Sequence, residues 1–370
     1  MIEGLYIHIP FCHQICRYCD FVKMVPQKGM PSIYVEHLIR ELESNIPLLT
    51  NLKTIYFGGG TPTLLDQSLL ARLFEAISHR LNLSLLEEYT IEANPNDITK
   101  TLGAMFVQHG INRVSLGVQT FSPHLLTFLG RTHRPDDIGR AIQELRASGI
   151  KNINIDLIYG IPGQSIQDLK MDLNQVLGCH PQHISAYNLI LEEKTILYHA
   201  YQNQQFELLD DELELEMSDL IESTLLEAGY HRYEISNYAL PGYESKHNLL
   251  VWNLEEYLGI GMGSHSQYQR KRLVNHTTFS SYIAAIDEIG LGFAHEEPYE
   301  PEIEFVMLGL RKTAGIDVDR FETLFGQPIF QRFPELKHHL ATGLLEKKGR
   351  QLQLTKQGLD LANQVFVTLF

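Results

Sequence analysis

Three cysteines stand within eight residues of one another: Cys12, Cys16 and Cys19 in the segment FCHQICRYCDF, with the spacing C-x3-C-x2-C. Thiolate sulfur is a soft ligand that suits zinc and iron–sulfur clusters. A zinc ion would complete a tetrahedron with a fourth Cys or His, for which His13 or a more distant histidine is available. A 4Fe-4S cube ordinarily takes four thiolates, so three leave one iron open, where the amino and carboxylate groups of S-adenosylmethionine (SAM) can bind. Cofactors would then supply the hard chemistry, and the protein would bind and orient them. The fourth cysteine, Cys179 in LGCHP, stands apart and reads as a small half-buried residue near a helix end.

The elements that must position this loop alternate from the first residue to about residue 190. Apolar runs at 5–9, 54–57, 88–93, 113–119, 152–159 and 183–190 are separated by amphipathic stretches, among them 34–48 and 136–148. That order predicts six βα units and a parallel sheet. Successive strand side chains point to opposite faces, and one face is polar: Tyr6 and His8, then Thr90, Glu92 and Asn94, then Ser115 and Gln119, then Asn152, Asn154 and Asp156. Helices on both faces of a doubly wound sheet would require apolar side chains there, whereas a partial barrel can enclose a polar lumen. The fold class expected is therefore α/β, a partial (β/α)6 barrel open along one side. GGGTPT (58–63) follows the second strand, where bare glycines let the backbone approach a ligand closely. Glu92 and Gln119 fall toward the carboxyl ends of their strands, the edge where barrel sites form.

Beyond residue 190, Leu209, Leu213, Met217, Leu220, Ile221 and Leu225 form an apolar stripe on a helix with an acidic outer face. From about residue 300, three helical patterns, a hairpin at EKKGRQLQLT and a last helix predict a mainly helical, winged-helix-like unit. The expected division is 1–230 for the barrel with its following helix, 231–297 for an extension carrying HNLLVW and GIGMGSHS, and 298–370 for the C-terminal unit. A net charge of −15 argues against binding to phosphate backbones, so no nucleic-acid partner is expected. No stretch approaches the roughly 18 apolar residues of a membrane span. The opening MIEGLYIHIPFC does not read as an export signal, and a cytoplasmic location is expected.

Taken together, YIHIPFCxxxCxYCxF, GGGTPT, IEANP, SLGVQTF, LGRTH, DLIYGIPGQ and LGIGMGSHS resemble the motifs of one branch of the radical SAM superfamily. That branch holds the oxygen-independent coproporphyrinogen III oxidases and their relatives, the HemW haem chaperones, and the resemblance runs from about residue 4 to residue 370. It implies a 4Fe-4S cluster on Cys12, Cys16 and Cys19, and SAM contacts from Tyr6, Gly59, Gly60, Thr61, Glu92, Gln119, Arg131 and Asp156. Arg131, a cation in the Gly-rich loop LGRTHRP, and Asp156, a carboxylate on the polar face, suit this independently. Asp156 has a plainer reading as a carboxylate satisfied by Asn154 or Arg131.

The two relatives differ around the cluster. The oxidase pattern has a further cysteine two places after the third, where this chain has Phe21, and an N-terminal arm before the first strand, which this chain enters almost at once. The chaperones carry HNxxYW, implicated in haem binding, and residues 247–252 read HNLLVW, with Val251 in place of the tyrosine. The resemblance thus implies a haem chaperone, with His247 and Trp252 as haem-binding candidates, that delivers haem to respiratory haemoproteins at a membrane surface and as a homodimer. His247 bonded to a carbonyl and Trp252 filling core is the plainer alternative. His265 in GSHS is a further candidate, and His338 and His339 read as residues of a solvated helix. Two other functions stay open: oxidative decarboxylation of coproporphyrinogen III propionates, and a different radical SAM reaction on a large substrate. No catalytic residue is assigned.

Anaerobic reconstitution is expected to give about four irons per chain, and replacing any one of the three clustered cysteines by alanine to abolish cluster binding. Stoichiometric zinc without a brown chromophore would refute the iron assignment.

Overall fold

A computed structural model describes all 370 residues. Six parallel strands, β1 (Gly4–Ile9), β2 (Thr54–Gly59), β3 (Glu88–Ala93), β4 (Arg113–Gln119), β5 (Asn152–Tyr159) and β6 (His183–Asn188), lie side by side in chain order. Each is joined to the next by a helical crossover, as the alternation of apolar runs predicts. The crossover helices are stopped and started locally. Asp66 accepts from the Leu69 amide at the start of helix Gln67–Arg80, and Gly149, with φ 104°, ends helix Pro135–Ser148. Ile, Leu, Val and Phe of the outer strand face pack with these helices into the main core, while the polar side chains turn to a lumen.

The sheet does not stop at six strands. β7 (His231–Arg232) and β8 (Asn237–Ala239) add antiparallel beyond β6. On the other side β9 (Tyr257–Ile260) pairs parallel with β1, and β10 (His265–Tyr268), β11 (Lys271–Asn275) and β12 (Phe293–Glu297) follow antiparallel. These strands are two to five residues long, too short to show a period of their own in the sequence. Both edges of the six-strand frame are thus extended, and the sheet remains open between β12 and β7.

One buried carboxylate fastens this extension. Glu41, on helix Met30–Asn45, accepts from the amides of Gly261 and Gly292 (both 2.8 Å), the Tyr282 hydroxyl (2.7 Å) and Asn275 Nδ2 (2.7 Å). The C-terminal unit has its own core, built from helices Pro301–Leu310, Val318–Phe325 and Leu336–Ala341 against β13 (Ile316–Asp317), β14 (Leu345–Lys348) and β15 (Gln351–Leu354). The antiparallel order β13-β15-β14 is the small wing expected from the hairpin. His339 departs from the reading of a solvated helix: it is buried, with Nε2 2.9 Å from the Thr368 hydroxyl.

Removing the Glu41 carboxylate leaves three buried donors, the Gly261 and Gly292 amides and the Tyr282 hydroxyl, without an acceptor, each costing about 1–3 kcal/mol, while Asn275 keeps the Gly261 carbonyl (3.0 Å). Glu41→Ala is expected to lower stability by at least about 3 kcal/mol in urea unfolding. A change below about 1 kcal/mol would show that water replaces the carboxylate.

Candidate functional site

The cysteine loop leaves β1 and is pinned at both ends. The Cys12 amide donates to the Met24 carbonyl (3.0 Å), and the Met24 amide to that of Pro10 (2.7 Å). In between, the Arg17 amide donates to Leu129 O (3.0 Å), and His8 Nε2 lies 2.7 Å from Val22 O. Gly60 runs against this loop so closely that a Cβ would lie 2.7 Å from Phe11 O and 2.9 Å from Cys12 Sγ. Gly59 has φ 113°, and a Cβ there would meet the His8 ring at 2.6 Å. Only glycine fits either position.

Cys12, Cys16 and Cys19 are free thiols lining one cavity of about 330 Å³. Burial pushes the Cys12 thiol up to about 11 and also raises Cys19. Such thiols give up their protons when a metal takes the sulfur. Arg131 Nη1 stands 3.5 Å from Cys16 Sγ, and its Nη2 donates to Asn94 Oδ1 (2.7 Å) and to Gly117 O. His13, the fourth-ligand candidate for zinc, turns instead to Asp97, at 3.4 Å.

The same cavity is lined by Gly59, Gly60, Thr61, Glu92, Gln119, Arg131 and Asp156. Gln119 ends β4 in the left-handed region, φ 68°, where the β4–β5 register shifts between Gly117 and Gln119. Glu92 accepts from the Tyr56 hydroxyl (2.8 Å) and the Gly59 amide (3.2 Å), and burial pushes its carboxyl up to about 7. Asp156 accepts from Asn154 Nδ2 (2.7 Å) and Ser115 Oγ (3.2 Å), so its plainer reading holds in part; burial raises it as well.

Tyr6 is set apart from this group. It lines an adjoining cavity of about 490 Å³, together with His8, His247, Val251, Tyr257 and His265. Phe21, Tyr56 and Asn248 line both cavities, and the rings of Tyr6, Tyr56 and His247 form one cluster, with Tyr56 6.0 Å from Tyr6 and 5.1 Å from His247, and Tyr6 6.4 Å from His247. His247 is buried with Nδ1 2.9 Å from the Thr54 hydroxyl, and burial lowers it to about 4. His265 is exposed, with Nδ1 3.6 Å from a Glu297 carboxylate oxygen.

Trp252 does not join His247. Both belong to helix Lys246–Trp252, but five residues at 3.6 per turn place them about 140° apart around it. Trp252 lines a cavity beside the C-terminal unit, under the Arg311 guanidinium at 4.6 Å. The pairing suggested by HNLLVW is thus corrected by the helix itself: the two rings open on different cavities.

Comparison with known proteins bears on this arrangement. Residues 6–176 match the Radical SAM superfamily and residues 301–361 the HemN C-terminal domain. A Bacillus subtilis (strain 168) protein named Heme chaperone HemW is 40% identical over 372 residues, 99% of this chain and 98% of its own. The chain belongs to the HemW family. A second member, from Lactococcus lactis subsp. lactis (strain IL1403), is 38% identical over 382 residues, 98% of this chain and 96% of its own. The HemW protein of Escherichia coli (strain K12) is 37% identical over 267 residues, 71% and 70% of the two chains. In structure, the coproporphyrinogen III oxidase HemN from Escherichia coli, a radical SAM enzyme, superposes with a TM-score of 0.83 at 22% identity. That match covers 100% of this chain and 90% of HemN.

For this HemW-family chain the lumen also contains residues that motif reading passed over. Tyr56 and Arg113 lie on the same inward alternation as Glu92 and Ser115, a signal present in the strands. Asn94, which holds Arg131, lies in IEANP beside Glu92. Asp172 accepts from the Thr120 hydroxyl (2.8 Å) and the Phe121 amide (2.7 Å), bracing the turn after β4 from a helix no motif includes.

Glu92 gives the site a pH signature. Its folded carboxyl sits at about 7 against an ordinary 4.5, so the folded state binds more protons between those values and stability falls as pH rises. Ligand-free wild type is expected to lose stability relative to Glu92→Gln from pH 4.5 to 7. A difference that stays flat across that window in denaturant titrations would contradict the buried carboxyl.

Proposed function

We propose that the protein is a haem chaperone that holds a 4Fe-4S cluster on Cys12, Cys16 and Cys19, binds SAM in the lumen and delivers haem to respiratory haemoproteins. The full-length 40% identity to a Heme chaperone HemW carries this reading. The cavity fits the cofactors in kind: it combines three free thiols, a glycine edge with no room for a Cβ, and buried polar groups of both charges. When bound, the cluster supplies one-electron chemistry at the sulfonium of SAM.

The chain's own residues would bind and orient. Gly59, Gly60 and Thr61 offer close backbone, Arg131 holds a cation beside the cluster thiols, and Glu92, Gln119 and Asp156 supply polar contacts to SAM. Tyr6 would act from the adjoining cavity, through the Tyr56 wall. Phe21 and Ile190, 61% and 63% exposed, bring apolar surface to the cavity. His247 suits haem iron, because its lowered pKa keeps the imidazole neutral near pH 7, the form that ligates metal. Trp252 would contribute only from the far side of its helix.

No helix is long and apolar enough to cross a membrane. We place the protein in the cytoplasm, meeting its haem acceptors at the membrane surface as a homodimer and without nucleic acid; the net charge of −15 favours that last point.

The test is anaerobic incubation of reconstituted protein with SAM and either haem or coproporphyrinogen III, following deoxyadenosine, porphyrin products and the Soret band together. Haem binding without decarboxylated porphyrin is expected, with His247→Ala weakening the Soret titration about tenfold. Turnover of coproporphyrinogen III would assign the oxidase reaction instead.

A further inference from the structure

We propose that Arg113, deep in the lumen, anchors a carboxylate of a ligand that enters from the cluster end. Arg113 opens β4, and its side chain lies on the inward alternation with Ser115, Gly117 and Gln119, all lining the main cavity. It is 2% exposed and in no ion pair, and its Nε is buried without a partner. The other two guanidinium nitrogens make no hydrogen bond to protein either.

A buried cation without hydrogen bonds is costly, and a guanidinium is matched best by the two oxygens of a carboxylate. The nearby carboxylates are already engaged. Glu88 accepts from the amides of Lys246 (2.9 Å) and His247 (3.2 Å), and Asp156 from Asn154 and Ser115. Burial works against the Arg113 charge, yet Glu88, Tyr56, Tyr233 and Asp156 together keep it raised. Asn248 adds a second set of donors, since it lines the same cavity and its side-chain amide hydrogen-bonds to no protein group. Gln119 lies six residues along β4 from Arg113, roughly 20 Å at about 3.3 Å per residue, and the cavity spans that strand from one to the other.

The methionyl carboxylate of SAM would be held at the open iron of the cluster, at the other end of the lumen, so the ligand of the proposed function with a carboxylate left to reach Arg113 is haem, through its propionates. This inference rests on the haem-chaperone reading.

The experiment uses full-length reconstituted protein. Haem and haem dimethyl ester are titrated by the Soret band for wild type, Arg113→Gln and Arg113→Lys. Arg113→Gln is expected to weaken haem binding about tenfold or more and leave the dimethyl ester unchanged. Arg113→Lys, which keeps the charge but not the fork, is expected to fall between and to keep the wild-type fold. Equal losses on haem and its ester, or no loss on either in a chain whose wild type binds haem, would overturn this proposal alone and make Arg113 a structural plug. Wild type that binds no haem would overturn the haem-chaperone reading and this proposal with it.

Discussion

The backbone of Gly60 passes the cysteine loop with no space for a Cβ atom, as Gly59 passes the His8 ring, and the arrangement of the site depends on the Gly60 contact. It follows from the parallel pairing of β1 with β2, in register from Gly4–Thr54 to Ile9–Gly59. The pairing is prolonged into the loops by the Gly60 and Thr61 amides, which donate to Ile9 O (2.8 Å) and Phe11 O (2.7 Å). A side chain at Gly60 would push the thiol-bearing loop away from the strand ends where the polar groups of β3, β4 and β5 gather. Backbone pairing thus sets where the cluster loop stands, and side chains set what surrounds it.

What surrounds it is buried charge. Arg131 is shared between Cys16, Asn94 and Gly117, and Glu92 between Tyr56 and Gly59, so each buried group is fixed by partners on a neighbouring strand. Low dielectric makes such groups expensive when unpaired and strongly orienting when paired. The raised carboxyls of Glu92 and Asp156 reflect that burial. Arg113, the lumen cation with no bond to protein, stands out against this background.

The extension and the C-terminal unit act on the site indirectly. Glu41 holds the turns around β9 and β11 and so supports the strand next to β1, while helix Lys246–Trp252, capped by Ser245 and Glu88, carries His247 into the cavity beside the lumen. The opposite side of that helix, through Trp252 and Arg311, docks the C-terminal core. One short helix therefore links the outer unit to the wall between the two cavities.

The sequence by itself determined the chemistry and the six-strand frame. Cysteine spacing is local, and the period-two alternation of β1 to β6 marks both the strands and their polar face, on which Glu92, Gln119 and Asp156 lie; the resemblance to radical SAM motifs added Gly59, Gly60, Thr61 and Arg131, and all of these line one cavity with Cys12, Cys16 and Cys19. Tertiary structure decided the rest. Strands of two to five residues at the sheet edges carry too few side chains to show a period, and they exist because β1 and β6 offer unpaired backbone. Tyr6 lines the adjoining cavity beside Tyr56 and Gly58, and His247 and Trp252 part company around a helix. Which side of a wall a side chain takes depends on packing between segments far apart in the chain, and motif spacing does not encode it.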